Sequence, residues 1–464
     1  MQAVRVLLVS HRYPPVNTAG TEVYTASVAA RLSAAGAEVE VFCADKDVGE
    51  EDRSLRVREH EGVRVHEFVN NLHLSGLRET WELPEAERAF VEVLEEFQPD
   101  VVHFNHLMYL SMGCLKAAHD RAAVVYTLHD LWLSCPRWGQ RLGWDGEICH
   151  EVDLARCGEC MAHTKFAQTS MEERISGWLV RLKESTGLDL AEAARRARKL
   201  LAERDEAPAP APAPGLAAEL GEAVREREEE VRSAVVAVDR FLSPSRFVAD
   251  ELVRWGLDAA RVELLGTGLA EGEVPRRVPR GERLRVRFLG SLIPSKGAHV
   301  LVEAWARLSP ELRERGELVL YGPPGHDAAY TASLERAVEE AGARWGGLLE
   351  RDEVPRELAQ ADLVCLPSLW FENLPLVVLE ARAAGVPLLV SDLGGLSEAV
   401  EEGAGGWRFP AGDSAALSAK LEGLLRDPAA LDAMQIPPAP TAEAHFARLF
   451  EVYREVQNER ESSA

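Results

Sequence analysis

The stretch Phe371–Glu380, FENLPLVVLE, sets two carboxylates, Glu372 and Glu380, eight residues apart around Asn-Leu-Pro and an apolar run. Pro375 suits the first turn of a helix, where a backbone N–H has no partner to lose. The pattern therefore predicts a helix beginning near Leu376, with one acid ahead of it and the other about two turns on. Acids so placed can grip one polyhydroxylated ligand from two sides, because an ionised carboxylate only accepts and suits paired hydroxyl donors. The N–H groups of Asn373, Leu374 and Leu376 fall where helix amides lack partners, so they can donate to sugar or phosphate oxygens. Lys296, in GSLIPSKG, supplies a cation for phosphates.

Working outward, apolar runs at Leu284–Leu289, Leu318–Tyr321, Leu363–Leu366 and Pro387–Val390 read as buried strands with helices between them. The N-terminal half has the same rhythm, with strands at Val4–Val9, around Val39 and Val41, at Val101–Phe104 and at Val124–Leu128. The fold class is α/β: two facing Rossmann-like, doubly wound domains with a cleft at the carboxyl ends of their strands. We place an N-terminal domain at 1–270, a C-terminal domain at 283–435 and a last helix at 441–458 that crosses back to the first domain. The rhythm breaks in a cysteine loop, 135–163, and in an insertion, 164–232. The insertion reads as a helical hairpin of Met171–Arg204 and Leu216–Arg232 around a stiff Ala-Pro spacer at Ala207–Gly215. Its charged helices could dock a protein or a membrane surface, and a solvated face explains them equally. The residues after the last helix are polar and expected to fray.

The chain has 464 residues and a formal charge of −24, which argues against nucleic acid as a partner. No apolar run is long enough to span a membrane, and MQAVRVLLVSHRYPP lacks the marks of a signal peptide. We expect a cytoplasmic protein, with the inner face of the membrane as an alternative location. Of seven cysteines, Cys135, Cys149, Cys157 and Cys160 are spaced C-x13-C-x7-C-x2-C. Four thiolates with one CxxC could hold structural zinc or an iron–sulfur cluster, with His150 and His163 as substitutes; reduced thiols in a packed loop are the other reading. Cys43, Cys114 and Cys365 sit in apolar surroundings and read as core.

Five segments together, PPVNTAGTE, TLHD, SPSRF, GSLIPSKG and ENLPLVVLEARAAGVP, resemble glycosyltransferase family 4, whose members have the GT-B fold and retain anomeric configuration. The resemblance covers nearly the whole chain outside the insertion. It implies an enzyme that transfers a sugar from a nucleoside-diphosphate donor to a glycan or lipid-linked acceptor, as in cell-surface polysaccharide synthesis. It assigns Glu372 and Glu380 to the family's E-x7-E motif, the first near the transferred sugar and the second on the ribose hydroxyls. Lys296 becomes the diphosphate lysine, whose charge stabilises the leaving group. His129 is expected near the sugar, with Asp130 orienting it, and His103, Asn105 and His106 are weaker acceptor candidates. Gly20 corresponds to the glycine loop that approaches the donor. Ser245 and Arg246, with Ser243, match the nucleotide-side motif. Ser291 stands where the family often has arginine, which leaves Lys296 and helix amides to carry more of the charge. No catalytic metal is expected. The alternatives are a GT-B epimerase or phosphorylase, or a non-catalytic sugar-nucleotide-binding or assembly protein.

Overall fold

The computed structural model describes residues 4–16, 20–167, 212–269, 275–325 and 327–463. Described residues up to Gly266, together with those from Glu443 onward, form one compact unit, and those in Thr267–Ala442 form another.

The first unit is built on β1 (Arg5–Ser10), β2 (Glu38–Asp45), β3 (Leu55–His60), β4 (Val63–Val69), β5 (Val101–Phe104), β6 (Ala123–Thr127), β7 (Arg240–Ser243) and β8 (Val262–Leu264). Their order is β3-β4-β2-β1-β5-β6-β7-β8. Every pair is parallel except the β3–β4 hairpin. Val6, Leu7, Leu8 and Val9 are all fully buried, as a strand covered on both faces requires. The chain leaves β1 in one direction to reach β2 and in the other to reach β5, so the switch point of the sheet lies between β1 and β5.

The second unit repeats the plan with β9 (Leu284–Leu289), β10 (Gly316–Tyr321), β11 (Arg344–Gly347), β12 (Leu363–Leu366), β13 (Leu388–Ser391), β14 (Glu401–Glu402) and β15 (Gly405–Phe409), in the order β11-β10-β9-β12-β13-β15-β14. Alternate residues feed two separate cores. Val286, Phe288, Leu318, Leu320 and Cys365 pack on one side; Leu289, Val319, Tyr321, Val364 and Leu366 pack on the other. Two cores flanking one parallel sheet define a doubly wound layer, and its switch point lies between β9 and β12.

Three expectations change. The β3–β4 hairpin, absent from the strand reading, is held by charge: Arg56 and Arg58 both donate to Glu67, at 2.8 and 2.7 Å. The final helix runs Ala442–Ser463 without fraying short, because Arg240 holds Glu459 at 2.9 Å and Arg460 donates to the His119 carbonyl. Most of the insertion, including Met171–Arg204 and the Ala-Pro spacer up to residue 211, lies outside the described residues. Its second helix, Leu216–Ala234, is described, and it is no freely solvated rod. Leu220, Val224, Arg227, Val231 and Ala234 form a buried stripe at three- and four-residue steps. Gly158 of the helix Leu154–Ala162 lies so close to this helix that a Cβ there would sit 2.7 Å from Gly221 Cα. Among the described residues, no helix is long and apolar enough to cross a membrane.

Candidate functional site

In the second unit the switch point brings two distant motifs together. β9 delivers the turn Pro294–Lys296, and β12 delivers the loop that holds Glu372. Lys296 Nζ donates to Glu372 Oε1 at 2.6 Å. The same oxygen accepts from Ser368 Oγ at 2.9 Å and from Trp370 Nε1 at 2.7 Å. The ammonium also lies 5.0 Å from the centre of the Trp370 ring, within cation–π range. Glu372 is 8% exposed, so its three donors act in a site largely shielded from water. Glycine makes the close approach possible. Gly297 has φ +71°, and a Cβ there would stand 1.8 Å from the Pro367 carbonyl oxygen. A Cβ on Gly395 would stand 1.5 Å from the Asn373 carbonyl oxygen, and Gly395 N–H donates to the Glu372 carbonyl at 2.8 Å.

The helix of the opening motif runs Leu376–Ala384 with Pro375 as its cap residue, so Asn373 and Leu374 precede it and Leu376 opens it. Leu374 also packs against the apolar core. Glu380 is buried, and its Oε1 is 2.7 Å from Arg351 Nη2. Burial raises the Glu380 carboxyl above its ordinary range, with Arg351 opposing the rise. Ser291 follows the end of β9, and its carbonyl accepts from Ile293 N–H at 2.9 Å.

In the first unit, Ser245 caps the helix Arg246–Trp255, its Oγ accepting from Val248 N–H at 3.2 Å, while Ser243 Oγ donates to the Ser245 carbonyl at 2.7 Å. Arg246 opens that helix with an exposed side chain. Gly20 begins the helix Gly20–Ala34, with open space where a Cβ would lie.

The first unit gathers its own cluster at the switch point. His11 follows β1, Asn105 and His106 follow β5, and His129 and Asp130 follow β6. Met108 N–H donates to His106 Nδ1 at 3.0 Å, which fixes the proton on Nε2; that N–H points at Asp130 Oδ2, 3.1 Å away. Asp130 Oδ1 accepts from Trp132 N–H at 2.8 Å. Burial opposes ionisation of Asp130, but His106 and the Trp132 amide hold its carboxyl below the usual range. Sequence reading gives Asp130 to His129; the fold gives it to His106, because Asp130 Oδ2 meets the ring that β5 projects. His129 Nε2 lies 3.4 Å from Asn105 Oδ1, and its ring packs edge-on to Tyr24. Burial, then the neighbouring His106, pushes His129 down to about 3, so the ring is neutral at ordinary pH.

Sequence reasoning passes over His11 and Glu22. Their side chains meet at 3.2 Å, and the His11 ring lies 4.7 Å from that of His106. A histidine directly after the first strand and an acid in the first turn of the next helix are the signals that could have marked them. His103 leaves the candidate set. It is fully buried in β5, with Nδ1 2.7 Å from the Tyr453 hydroxyl and Nε2 2.7 Å from Thr127 Oγ1, so it joins the last helix to the sheet.

Cys135, Cys149, Cys157 and Cys160 all line one cavity in this unit. Burial and then the nearby Cys135, Cys160 and Cys149 push the Cys157 thiol up to about 12. As placed, no three Cys, His, Asp or Glu side chains among the described residues already surround a common metal position.

Two family models match in succession: Glycosyltransferase Family 4 over residues 18–176 and Glycosyl transferases group 1 over residues 274–437. The D-inositol 3-phosphate glycosyltransferase of Streptomyces bingchenggensis is 31% identical over 235 residues, 47% of this chain and 51% of that one. The chain thus spans about half the length of the curated relatives it matches. Sucrose-phosphate synthase from Thermosynechococcus elongatus superposes with a TM-score of 0.63 at 19% identity, covering 98% of this chain and 99% of that structure. Anabaena HepE, solved in complex with UDP and glucose, gives 0.58 at 16% identity over 96% and 98%. At these identities the likeness is one of fold. With one family model on each half of the sequence and a shared fold across nearly its whole length, the chain belongs to glycosyltransferase family 4 and has the GT-B fold.

Proposed function

We propose that the protein is a retaining glycosyltransferase that moves a hexose-type sugar from a nucleoside-diphosphate donor to a glycan or lipid-linked acceptor. The observation that carries this reading is the Lys296–Glu372 pair across the second unit's switch point, with Ser368 and Trp370 on the same carboxylate oxygen. Lys296 turns from Glu372 to the donor diphosphate. There its charge stabilises the phosphate that gains an electron pair as the anomeric C–O bond breaks. Ser291 and the amides of Asn373, Leu374 and Leu376 donate to the remaining oxygens. Glu372, freed of the lysine, accepts from sugar hydroxyls, and Glu380 accepts from the ribose.

The acceptor side falls to the first unit. His129, neutral at working pH, donates to or accepts from a sugar hydroxyl, and Asp130 accepts from a hydroxyl of the acceptor. Tyr109, Trp132 and Trp138 line a cavity beside this cluster, and aromatic faces suit a glycan. The departing phosphate takes the proton of the acceptor hydroxyl, on the same face that the new bond forms. No protein nucleophile is required, and Glu372 serves as a ligand grip. HepE's complex with UDP and glucose makes UDP-sugars the first donors to try.

A thermal-shift screen with UDP-, GDP- and ADP-sugars identifies the donor, because a ligand that binds only the folded chain raises the melting temperature by mass action. Transfer assays with that donor then test Lys296→Ala and Glu372→Ala, both expected to lose turnover while folding normally. Near-normal turnover in both overturns the site. Product NMR showing an inverted anomer overturns the retaining course. Donor binding without transfer or hydrolysis across many acceptors favours the non-catalytic reading.

A further inference from the structure

The four cysteines of the loop play no part in the proposed transfer, yet the fold collects them. Cys43, Cys114 and Cys365 are each fully buried in ordinary apolar core. Cys135, Cys149, Cys157 and Cys160 instead come from three separate pieces of backbone and line a single cavity of about 30 Å³. Cys135 N–H donates to the Leu131 carbonyl at 2.9 Å, which places the residue in a tight turn after β6. Cys149 follows the antiparallel bridge Leu142↔Ile148, and its N–H donates to the Arg141 carbonyl at 2.7 Å. Cys157 and Cys160 are one turn apart on the helix Leu154–Ala162, so both thiols share a face. From these placements we propose that Cys135, Cys149, Cys157 and Cys160 bind one structural zinc ion.

The cavity wall carries four thiols, the acids Glu151 and Asp153, and three arginines. Three arginines border the cavity, but each is engaged elsewhere. Arg137 donates to the Leu142 carbonyl at 2.6 Å, and Arg141 to the Cys149 and His150 carbonyls at 2.8 and 2.6 Å. Arg156 pairs with Asp145 at 2.8 Å. Asp153 caps the helix through the amides of Ala155 and Arg156. Glu151 also lines the cavity; four of the lining side chains are thiols, and four thiolates in tetrahedral array are a structural zinc set. His163 is stacked on Trp144, with ring centres 5.2 Å apart, which leaves the fourth position to Cys135. Coordination asks the thiols to turn about χ1 into the cavity, since they do not yet surround a common point.

The segment also needs a staple. Between residues 136 and 167 the buried apolar side chains are Cys160 and Met161 alone among those described. So small a core offsets little of the conformational entropy of ordering that length of chain, and core-poor modules commonly close around a metal. The consequence reaches the acceptor cluster. Cys135 lies five residues beyond Asp130, and buried Arg227 holds the carbonyls between them, donating to Trp132 O at 2.6 Å and Leu133 O at 3.1 Å. Zinc would thus anchor the backbone that presents Asp130.

Elemental analysis of the full chain, purified without chelators, tests the assignment. The expected result is close to one zinc per chain, falling below about a tenth of that in Cys157→Ser and Cys160→Ser. Since a serine variant could fail by misfolding, the wild-type chain exchanged with Co²⁺ gives a second readout: the intense visible bands of tetrahedral cobalt bound to thiolates. Native protein whose four thiols all react with Ellman's reagent and which carries no metal overturns the proposal. So do a brown chromophore with iron and sulfide, and a disulfide among the four in the mass spectrum.

Discussion

The two switch points have the same topology and opposite electrostatic habits. In the second unit the key carboxylates are already matched by cations: Lys296 sits on Glu372 and Arg351 on Glu380. In the first unit the carboxylates lean on imidazoles, Glu22 on His11 and Asp130 on His106, and several buried polar atoms have no hydrogen-bond partner: His11 Nδ1, Glu22 Oε2 and Asn105 Nδ2. A cation that neutralises a carboxylate can be released to an incoming diphosphate, which is chemistry suited to a charged donor. Imidazoles beside carboxylates offer directional hydrogen bonds, which suit a polyhydroxylated acceptor. On the function proposed above, one fold would host two kinds of recognition by changing the residues that follow β1 and β5 in one unit and β9 and β12 in the other.

The largest effect should come from breaking the charged half. Lys296→Ala is expected to lower turnover by roughly 10²- to 10³-fold. Folding should be preserved, because Glu372 keeps Ser368 and Trp370. A loss below tenfold in steady-state assays would remove the lysine from the chemistry. Asp130→Asn tests the neutral half. Losing a hydrogen bond to a charged group, about 1.5–3 kcal/mol, should cost about 10- to 100-fold in kcat/KM for the acceptor, with donor affinity unchanged. A change in donor affinity alone would reverse the assignment of the two units.

Gly395→Ala forces a Cβ onto the Asn373 carbonyl and should destabilise the second unit by about 1–3 kcal/mol in urea titration. Acidification should weaken the first unit more than the second. Burial holds His11, His103, His129 and His445 below the ordinary 6.5, His103 and His129 at about 3. The unfolded chain therefore takes up protons that the folded first unit refuses, and that unit loses stability as pH falls from 6.5 towards 3. Glu380, raised by burial, works the other way: its contribution is complete below 4.5 and is lost as pH rises through its folded pKa. His299 opposes this within the second unit. Hydrogen exchange at pH 5.0 and 7.5 should show protection falling first in the first unit on acidification; equal loss in both would contradict the distinction. Arg351→Ala should matter least. Its side chain is 64% exposed, so the pair with Glu380 is weak, and donor affinity should shift within about threefold.

Much of this was legible in the chain. Continuous apolar runs such as Leu284–Leu289 become parallel strands covered on both faces, and Pro375 marks the helix start within a residue. The strand ends that carry Lys296 and Glu372 could be named because local patterns and a family motif coincide there. The β3–β4 hairpin escaped because LRVREH and VRVHEFV carry charges on paired positions, and only pairing shows that Arg56 and Arg58 share Glu67. The sequence left Leu216–Arg232 open between a docking face and a solvated one because its charges outnumber its apolar residues; burial of Arg227 depends on two carbonyls nearly a hundred residues away in sequence.

By itself, the sequence determined which residues could form strands, where helices begin, and which side chains are candidates for chemistry, because those are properties of local period and residue type. Only the tertiary structure decided partners. It gave Asp130 to His106, turned His103 into a buried tie to Tyr453, set Arg351 on Glu380, and drew four cysteines from three segments to one cavity. Partnership depends on which strand ends a crossover brings side by side, and no local window of sequence contains that distance.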